Sequence, residues 1–190
     1  MAPGVVREEW IEMAEPEVWL RGPIDGVPPL LQPAAHSLLQ CREEVARVLP
    51  GLSSTQIAAR PAGAASVGFH ARHAIGSLDR LTTYARGEQL TRTQLAALAS
   101  EQEPDPGNDT DARLVAAFAE AADRALAQLR ETDDAMLLEP REVGRARLPS
   151  TVIGLLFHAA EHTQRHVGQL VTTAKIVRGA AGAAPGRAPT

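Results

Sequence analysis

Four stretches of helix-forming sequence, separated by proline- and glycine-rich breakers, constrain the fold of this chain most strongly. The first begins at Pro33, because proline suits the first turn of a helix. Ser66 and Ser150 are good N-cap residues that open the second and fourth stretches, and Asp109 or Thr110 opens the third. We therefore predict long helices over about 33–48, 66–86, 110–130 and 150–178.

The composition agrees with helices that pack closely against one another. Aromatic residues make up 3% of the chain while alanine is abundant, and sheets prefer aromatic and β-branched residues. A short helix over 91–101 precedes the breaker "EPDPGND". Four long helices with substantial connections predict an all-α fold, a four-helix bundle with long connections.

The domain organisation follows from where the breakers lie. Residues 1–32 include a proline-rich segment and predict an irregular N-terminal arm. Residues 33–178 form the bundle, and the small residues of 179–190 predict a flexible tail. The arm carries Trp19, Val27, Leu30 and Leu31. These side chains either fold back over the bundle or form the interface of a homodimer.

Charge and hydropathy exclude several classes of partner. The net charge is -4, and no run of lysine or arginine predicts nucleic-acid binding. No apolar run approaches the roughly 20 residues that cross a bilayer, so we expect no membrane segment. The single cysteine, Cys41, cannot form an internal disulfide, which favours a cytoplasmic location. A small molecule remains as the expected partner.

The fourth helix carries "HAAEHTQRH", in which histidines recur every four residues at His158, His162 and His166. Residues four apart are neighbours on a helix, so either adjacent pair could grip one metal ion. The outer two lie about 12 Å apart along the axis and cannot share it. An apolar stripe that includes Leu155 and Leu170 places His162 and His166 on the inward face.

Other interpretations of this motif have to be weighed. "HAAEH" matches the H-x-x-E-H pattern of inverzincin peptidases, with Glu161 as base. Those enzymes need a downstream carboxylate ligand, and no Asp or Glu follows Glu161. A di-iron site needs paired Glu-x-x-His motifs, which the other helices lack. The histidines could also be solvated or hydrogen-bonded without any metal.

The second and fourth helices together resemble the DinB/YfiT superfamily of metal-binding four-helix bundles. The resemblance covers roughly residues 33–178. Its motifs are a serine that starts the second helix, a histidine seven residues later, and a final H-x-x-x-H-x-G-Q. In this sequence they are Ser66, His73, His162, His166, Gly168 and Gln169. The resemblance implies a three-histidine metal site of His73, His162 and His166.

The ligand from the second helix has a rival. Periodicity places His70 nearer the apolar face marked by Val67 and Leu78, whereas the family register points to His73. The aromatic residue that usually precedes the helix-2 serine is replaced by Ala65. We follow the register and predict His73, with His70 as the alternative.

Three neutral imidazoles with an open position are typical of a catalytic metal site. Zinc or nickel is the expected ion, although the ligand set does not fix it. The resemblance implies a metal-dependent transferase that uses a low-molecular-weight thiol, such as bacillithiol or mycothiol, or else a hydrolase. The alternatives are a non-catalytic binding or stress-response bundle that keeps the metal, and a purely structural bundle.

Overall fold

A computed structural model of the protein describes residues 16–182. The α-helices and strands follow in chain order: α1 (Gln32–Val48), α2 (Ser54–Ala58), α3 (Val67–Ala85), α4 (Arg92–Ser100), α5 (Asp111–Glu131), β1 (Pro140–Val143), β2 (Leu148–Thr151) and α6 (Val152–Gly182). The four long helices α1, α3, α5 and α6 form the bundle, so the predicted all-α four-helix architecture is confirmed. No helix within residues 16–182 is long and apolar enough to cross a membrane.

The helix starts follow from capping side chains. Ser66 accepts a hydrogen bond from the backbone N–H of Phe69 at the start of α3. Thr110 caps α5 in the same way, while Asp109, the other candidate, is buried in an ion pair with Arg72. Each cap satisfies a backbone donor that has no partner within its helix. The predicted short helix is α4, which Thr91 caps.

The predicted cap at Ser150 is wrong. Ser150 lies in β2, which pairs antiparallel with β1 to form a hairpin in the connection between α5 and α6. Thr151 takes over the capping role, because its hydroxyl accepts a hydrogen bond from the backbone N–H of Gly154. Helix α6 then continues to Gly182, past the predicted end at Arg178.

The predicted arm and tail lie partly outside the described residues, namely over 1–15 and 183–190. Within the described part, the arm has two turns of 3₁₀ helix, at Val18–Leu20 and Pro29–Leu31. Val27 and Leu31 are buried in the core of the same chain, whereas Trp19 and Leu30 are exposed. The arm therefore packs on the bundle of its own chain through Val27 and Leu31, and Val18 is buried as well.

The core has two clusters, and the histidine segment lies where they meet. Along α6 one cluster ends at Ala160 and the other begins at Val167. Helix α3 packs more extensively on α6 than on any other element, and it also contributes to both clusters. Packing on either side of the junction therefore fixes the relative position of the two helices that carry the histidines.

Replacing Ser66 with alanine is expected to lower the free energy of unfolding by about 1 kcal/mol, since it removes the cap of α3. Urea unfolding measures the change. Ser100→Ala is the control, because the Ser100 hydroxyl donates to carbonyls of its own helix and caps no N-terminus. That variant should change stability by less than about 0.5 kcal/mol. Equal losses in the two variants would contradict the capping argument.

Candidate metal centre

Three histidine rings converge between α3 and α6. One ring nitrogen from each of His73, His162 and His166 lies within 4.8 Å of the other two, and all three residues are half-buried. The Nε2 atoms of His73 and His162 are 2.9 Å apart. His162 and His166 are one turn apart on α6, with ring centroids separated by 4.6 Å. The arrangement could hold a metal ion.

Both α6 rings are held in the neutral form. Burial lowers the pKa of His162, and charge repulsion from His73 lowers it further. Burial and the neighbouring rings lower the pKa of His166 to about 4. A neutral imidazole offers a lone pair, which is what a transition metal binds. His162 and His166 can therefore both bind a divalent transition metal at neutral pH without first losing a proton.

The stability of the metal-free protein should fall as pH drops from about 6.5 to about 4. His166 has a pKa of about 4 when folded and about 6.5 when unfolded. The unfolded chain therefore binds more protons in that window, which removes about 1–3 kcal/mol of stability. Urea unfolding across this pH range measures the loss of stability. Carboxylates titrate there too, so the comparison is with His166→Gln, which should lose less stability over the same window. Identical pH profiles would contradict the assigned pKa.

A carboxylate supports the ring of His73. The Nδ1 atom of His73 lies 2.7 Å from Oε2 of Glu101, and Nδ1 donates this hydrogen bond when Nε2 faces His162. Arg80 donates to the same carboxylate, at 3.0 Å to Oε1. Burial raises the pKa of Glu101, but the bonds from His73 and Arg80 outweigh it and hold that pKa below its usual range. Carboxylate–histidine pairs of this kind are common around protein-bound metals.

Glu101 was not among the site residues predicted from the sequence, although one signal pointed to it. Arg80 lies seven residues after His73 and therefore on the same side of α3. A buried arginine needs a carboxylate partner, and Arg80 is buried. The short helix predicted over 91–101 ends on the residue that supplies it, but nothing in the linear sequence pairs the two.

His70, the alternative ligand, has a different position. Its Nδ1 atom lies 3.2 Å from Nδ1 of His166, and its side chain is buried. Burial, followed by charge repulsion from His73, lowers the pKa of His70. His70 lies outside the three-ring cluster and contacts one of its members, His166.

The remaining histidine of the motif lies on the outer flank of α6. The Nδ1 atom of His158 is 3.3 Å from Glu161, which also pairs with Arg165. The hydrogen bond to Arg165 lowers the pKa of Glu161 despite an opposing, smaller effect of desolvation. Glu161 thus belongs to a surface ion-pair network, and Gln169 is exposed as well.

Two residues of α1 do not reach the cluster. The Nε2 atom of His36 is 2.9 Å from the carbonyl oxygen of Gly22 in the arm. Cys41 is buried, and its Sγ atom lies 3.2 Å from Oε1 of Gln164. Burial and the nearby Glu44 raise the pKa of the Cys41 thiol to about 12. This thiol is therefore protonated at neutral pH and is a poor nucleophile.

A cavity of about 270 Å³ adjoins the cluster. Its lining combines three histidines and Arg80 with a mostly apolar wall: His73, Ser77, Arg80, Leu81, Tyr84, Leu90, Leu98, Val143, His158 and His162. A larger cavity, of about 510 Å³, is lined in part by Glu101 and touches none of the three clustered histidines. The smaller cavity is therefore where a molecule can approach the site.

Comparison with known protein families identifies the family of this chain. The family model described as the DinB superfamily matches residues 37–170, which contain all three clustered histidines. The chain belongs to the DinB superfamily. A solved structure, a DinB-like protein from Bacillus cereus ATCC 10987, has a TM-score of 0.57 and 14% identity to it. The match covers 82% of this chain and 95% of that one. A comparison with curated proteins gave no match. At this identity the structural match shows the DinB-like fold and nothing more.

Proposed function

We propose that this DinB-superfamily protein is a metal-dependent thiol S-transferase that acts on a small, mostly apolar electrophile. The observation that carries the proposal is a cluster of three imidazoles, two of which, His73 and His162, line a cavity of about 270 Å³. His73, His162 and His166 would hold the metal, with zinc or nickel the expected ion. When bound, such a metal acts as a Lewis acid and lowers the pKa of a thiol or water molecule that reaches its open position.

The lining of the cavity supports an apolar substrate. Leu81, Leu90, Leu98 and Val143 are among the residues that line it. The guanidinium of Arg80 is already neutralised by Glu101, so it offers little attraction to an anionic substrate. Apolar walls favour molecules that leave water readily. The cavity is smaller than a typical drug-sized pocket, which favours a compact substrate.

The same lining favours a thiol over water as the nucleophile. No aspartate or glutamate is among the described residues that line the cavity. Hydrolases often use a carboxylate to take a proton from water. A free thiol has a pKa of about 8.5 and water one of about 15.7, so a bound metal ionises a thiol more readily than water when no such base is present. In the transfer the sulfur of R–SH bonds to the electrophilic carbon, the bond from that carbon to the leaving group X breaks, and the proton leaves as HX.

The test measures chloride release from an activated aryl chloride such as chlorodinitrobenzene, with bacillithiol, mycothiol or cysteine as the thiol. Zinc- and nickel-loaded protein is compared with metal-stripped protein at pH 7. Turnover that requires both the metal and a thiol would support the transferase. Hydrolysis of an apolar ester without thiol would instead identify a hydrolase. Stoichiometric metal without either activity would identify a non-catalytic binding protein.

A further inference from the structure

Glu101 is a buried carboxylate at the end of a helix that is otherwise exposed. It follows directly after α4, none of whose residues is buried, yet Glu101 is 6% exposed. A buried charge is costly unless it is paired and hydrogen-bonded. Glu101 meets that requirement through His73 and Arg80, both on α3. The carboxylate is therefore held by those two partners, while the Glu101 carbonyl oxygen accepts a hydrogen bond from Arg72 of the same helix.

We propose that Glu101 is a positioning residue of the metal centre, which fixes the orientation and tautomer of His73. The carboxylate accepts the Nδ1–H of His73, and the ring then presents the lone pair of Nε2 toward His162. Arg80 holds the carboxylate from the other side. This inference rests on the proposed three-histidine metal site.

Helix α3 has a glycine, Gly76, at the point where the side chains of Glu101 and Arg80 lie against it. A Cβ atom at Gly76 would lie 2.6 Å from Oε1 of Glu101 and 2.7 Å from Nη1 of Arg80. Real Cβ atoms almost never lie within 3.0 Å of such an atom, so any side chain at this position would displace the ends of both side chains. Glycine at position 76 thus lets Glu101 and Arg80 lie directly against the helix, one turn after His73.

The other two rings of the cluster have different surroundings. His166 contacts His70, and the Nδ1 atom of His162 is buried without a hydrogen-bond partner in the described chain. Within residues 16–182, Glu101 is the carboxylate that hydrogen-bonds to a ring of the cluster. His73 is therefore the ring whose tautomer a charged partner determines.

The first test measures the tautomer of His73 in metal-free protein, by NMR of the ring nitrogens. Wild-type His73 should carry its proton on Nδ1, and Glu101→Ala should move the proton toward Nε2, the form that free imidazole side chains prefer. Zinc affinity, measured by competition with a chelator, should fall about 10–100-fold in the same variant. Glu101→Gln keeps a carbonyl oxygen as hydrogen-bond acceptor and should therefore lose less zinc affinity than Glu101→Ala.

A nearby acidic residue provides the matched control. Glu103 is exposed and two positions further along the chain, so Glu103→Ala should keep both the tautomer and the affinity of the wild type. A role of Glu101 in holding α4 alone would lower thermal stability without changing either readout. Wild-type tautomer and affinity in Glu101→Ala would overturn the proposal.

Gly76→Ala tests the proposed role of Glu101 without removing its carboxylate. It should displace the ends of two flexible side chains, and should therefore fold and bind zinc about 10-fold or more weakly. Gly179→Ala, on an open part of α6 with no atom near the added Cβ, should bind like the wild type. If Glu101→Ala does not fold, Gly76→Ala decides: unchanged affinity and tautomer overturn the proposal.

The result also separates this inference from the proposed function. If the wild type binds zinc but transfers no thiol, the function fails while the affinity measurements still test Glu101. If the wild type binds no metal, the function and the role of Glu101 in a metal centre both fail, and the tautomer of His73 then reports only whether Glu101 orients that ring.

Discussion

Replacing His166 or His162 with alanine should weaken zinc binding at least about 100-fold. Each variant removes one of three converging ring nitrogens, and the loss of even a hydrogen-bonding partner of a metal ligand costs about 10–100-fold in affinity. Both rings are neutral at pH 7 because burial lowers their pKa values, so protonation does not already reduce the wild-type affinity. Competition with a chromophoric chelator at pH 7 measures the change.

Histidines of the same helices outside the cluster serve as controls. His158→Ala should bind zinc as the wild type does, since His158 pairs with Glu161 on the outer flank. His70→Ala should lose about 10-fold or less, because His70 contacts His166 but lies outside the cluster. His73→Ala should lose as much as His166→Ala. A larger loss of zinc affinity in His70→Ala than in His73→Ala would show that the predicted ligand on α3 is wrong.

The helices could be predicted from the sequence because their determinants are local. Ser66 and Thr110 cap the helices that they precede, and a proline or glycine follows the ends of α1 and α3, at Pro50 and Gly87. Ser150 failed as a cap because a hairpin forms between α5 and α6. Its strands are stabilised by their mutual pairing, and such context decides strand formation more than residue preference does. Four-residue strands leave little periodic signal.

The site could be predicted in part, for a similar reason. Spacing on one helix places His162 and His166 together without any knowledge of the rest of the fold. The choice between His70 and His73 depends on α3, which is buried on most of its sides, so an apolar stripe does not identify one inward face. Glu101 depends on a contact across 28 residues of chain, and no local pattern encodes such a contact.

Phe118→Ala should lower the free energy of unfolding by about 3–5 kcal/mol, the largest change in stability that we expect from one core side chain. Phe118 is 1% exposed and lies in the core cluster that includes Val167 and Leu170 of α6. Alanine would remove the apolar contact of the ring and leave a cavity that the surrounding helices fill only partly. Urea unfolding of the metal-free protein measures the difference.

Phe157→Ala is the matched control, because the same substitution is made at a ring that is 60% exposed on α6. It should cost less than about 1 kcal/mol, and equal losses would contradict the assigned core. Phe118 forms no part of the three-ring cluster, so Phe118→Ala that still folds should keep its zinc affinity. Zinc at 100 times its Kd should then stabilise that variant by about 2.7 kcal/mol. A Phe118→Ala protein that folds without regaining this increment would show that the packing around Phe118 also sets the positions of the three rings.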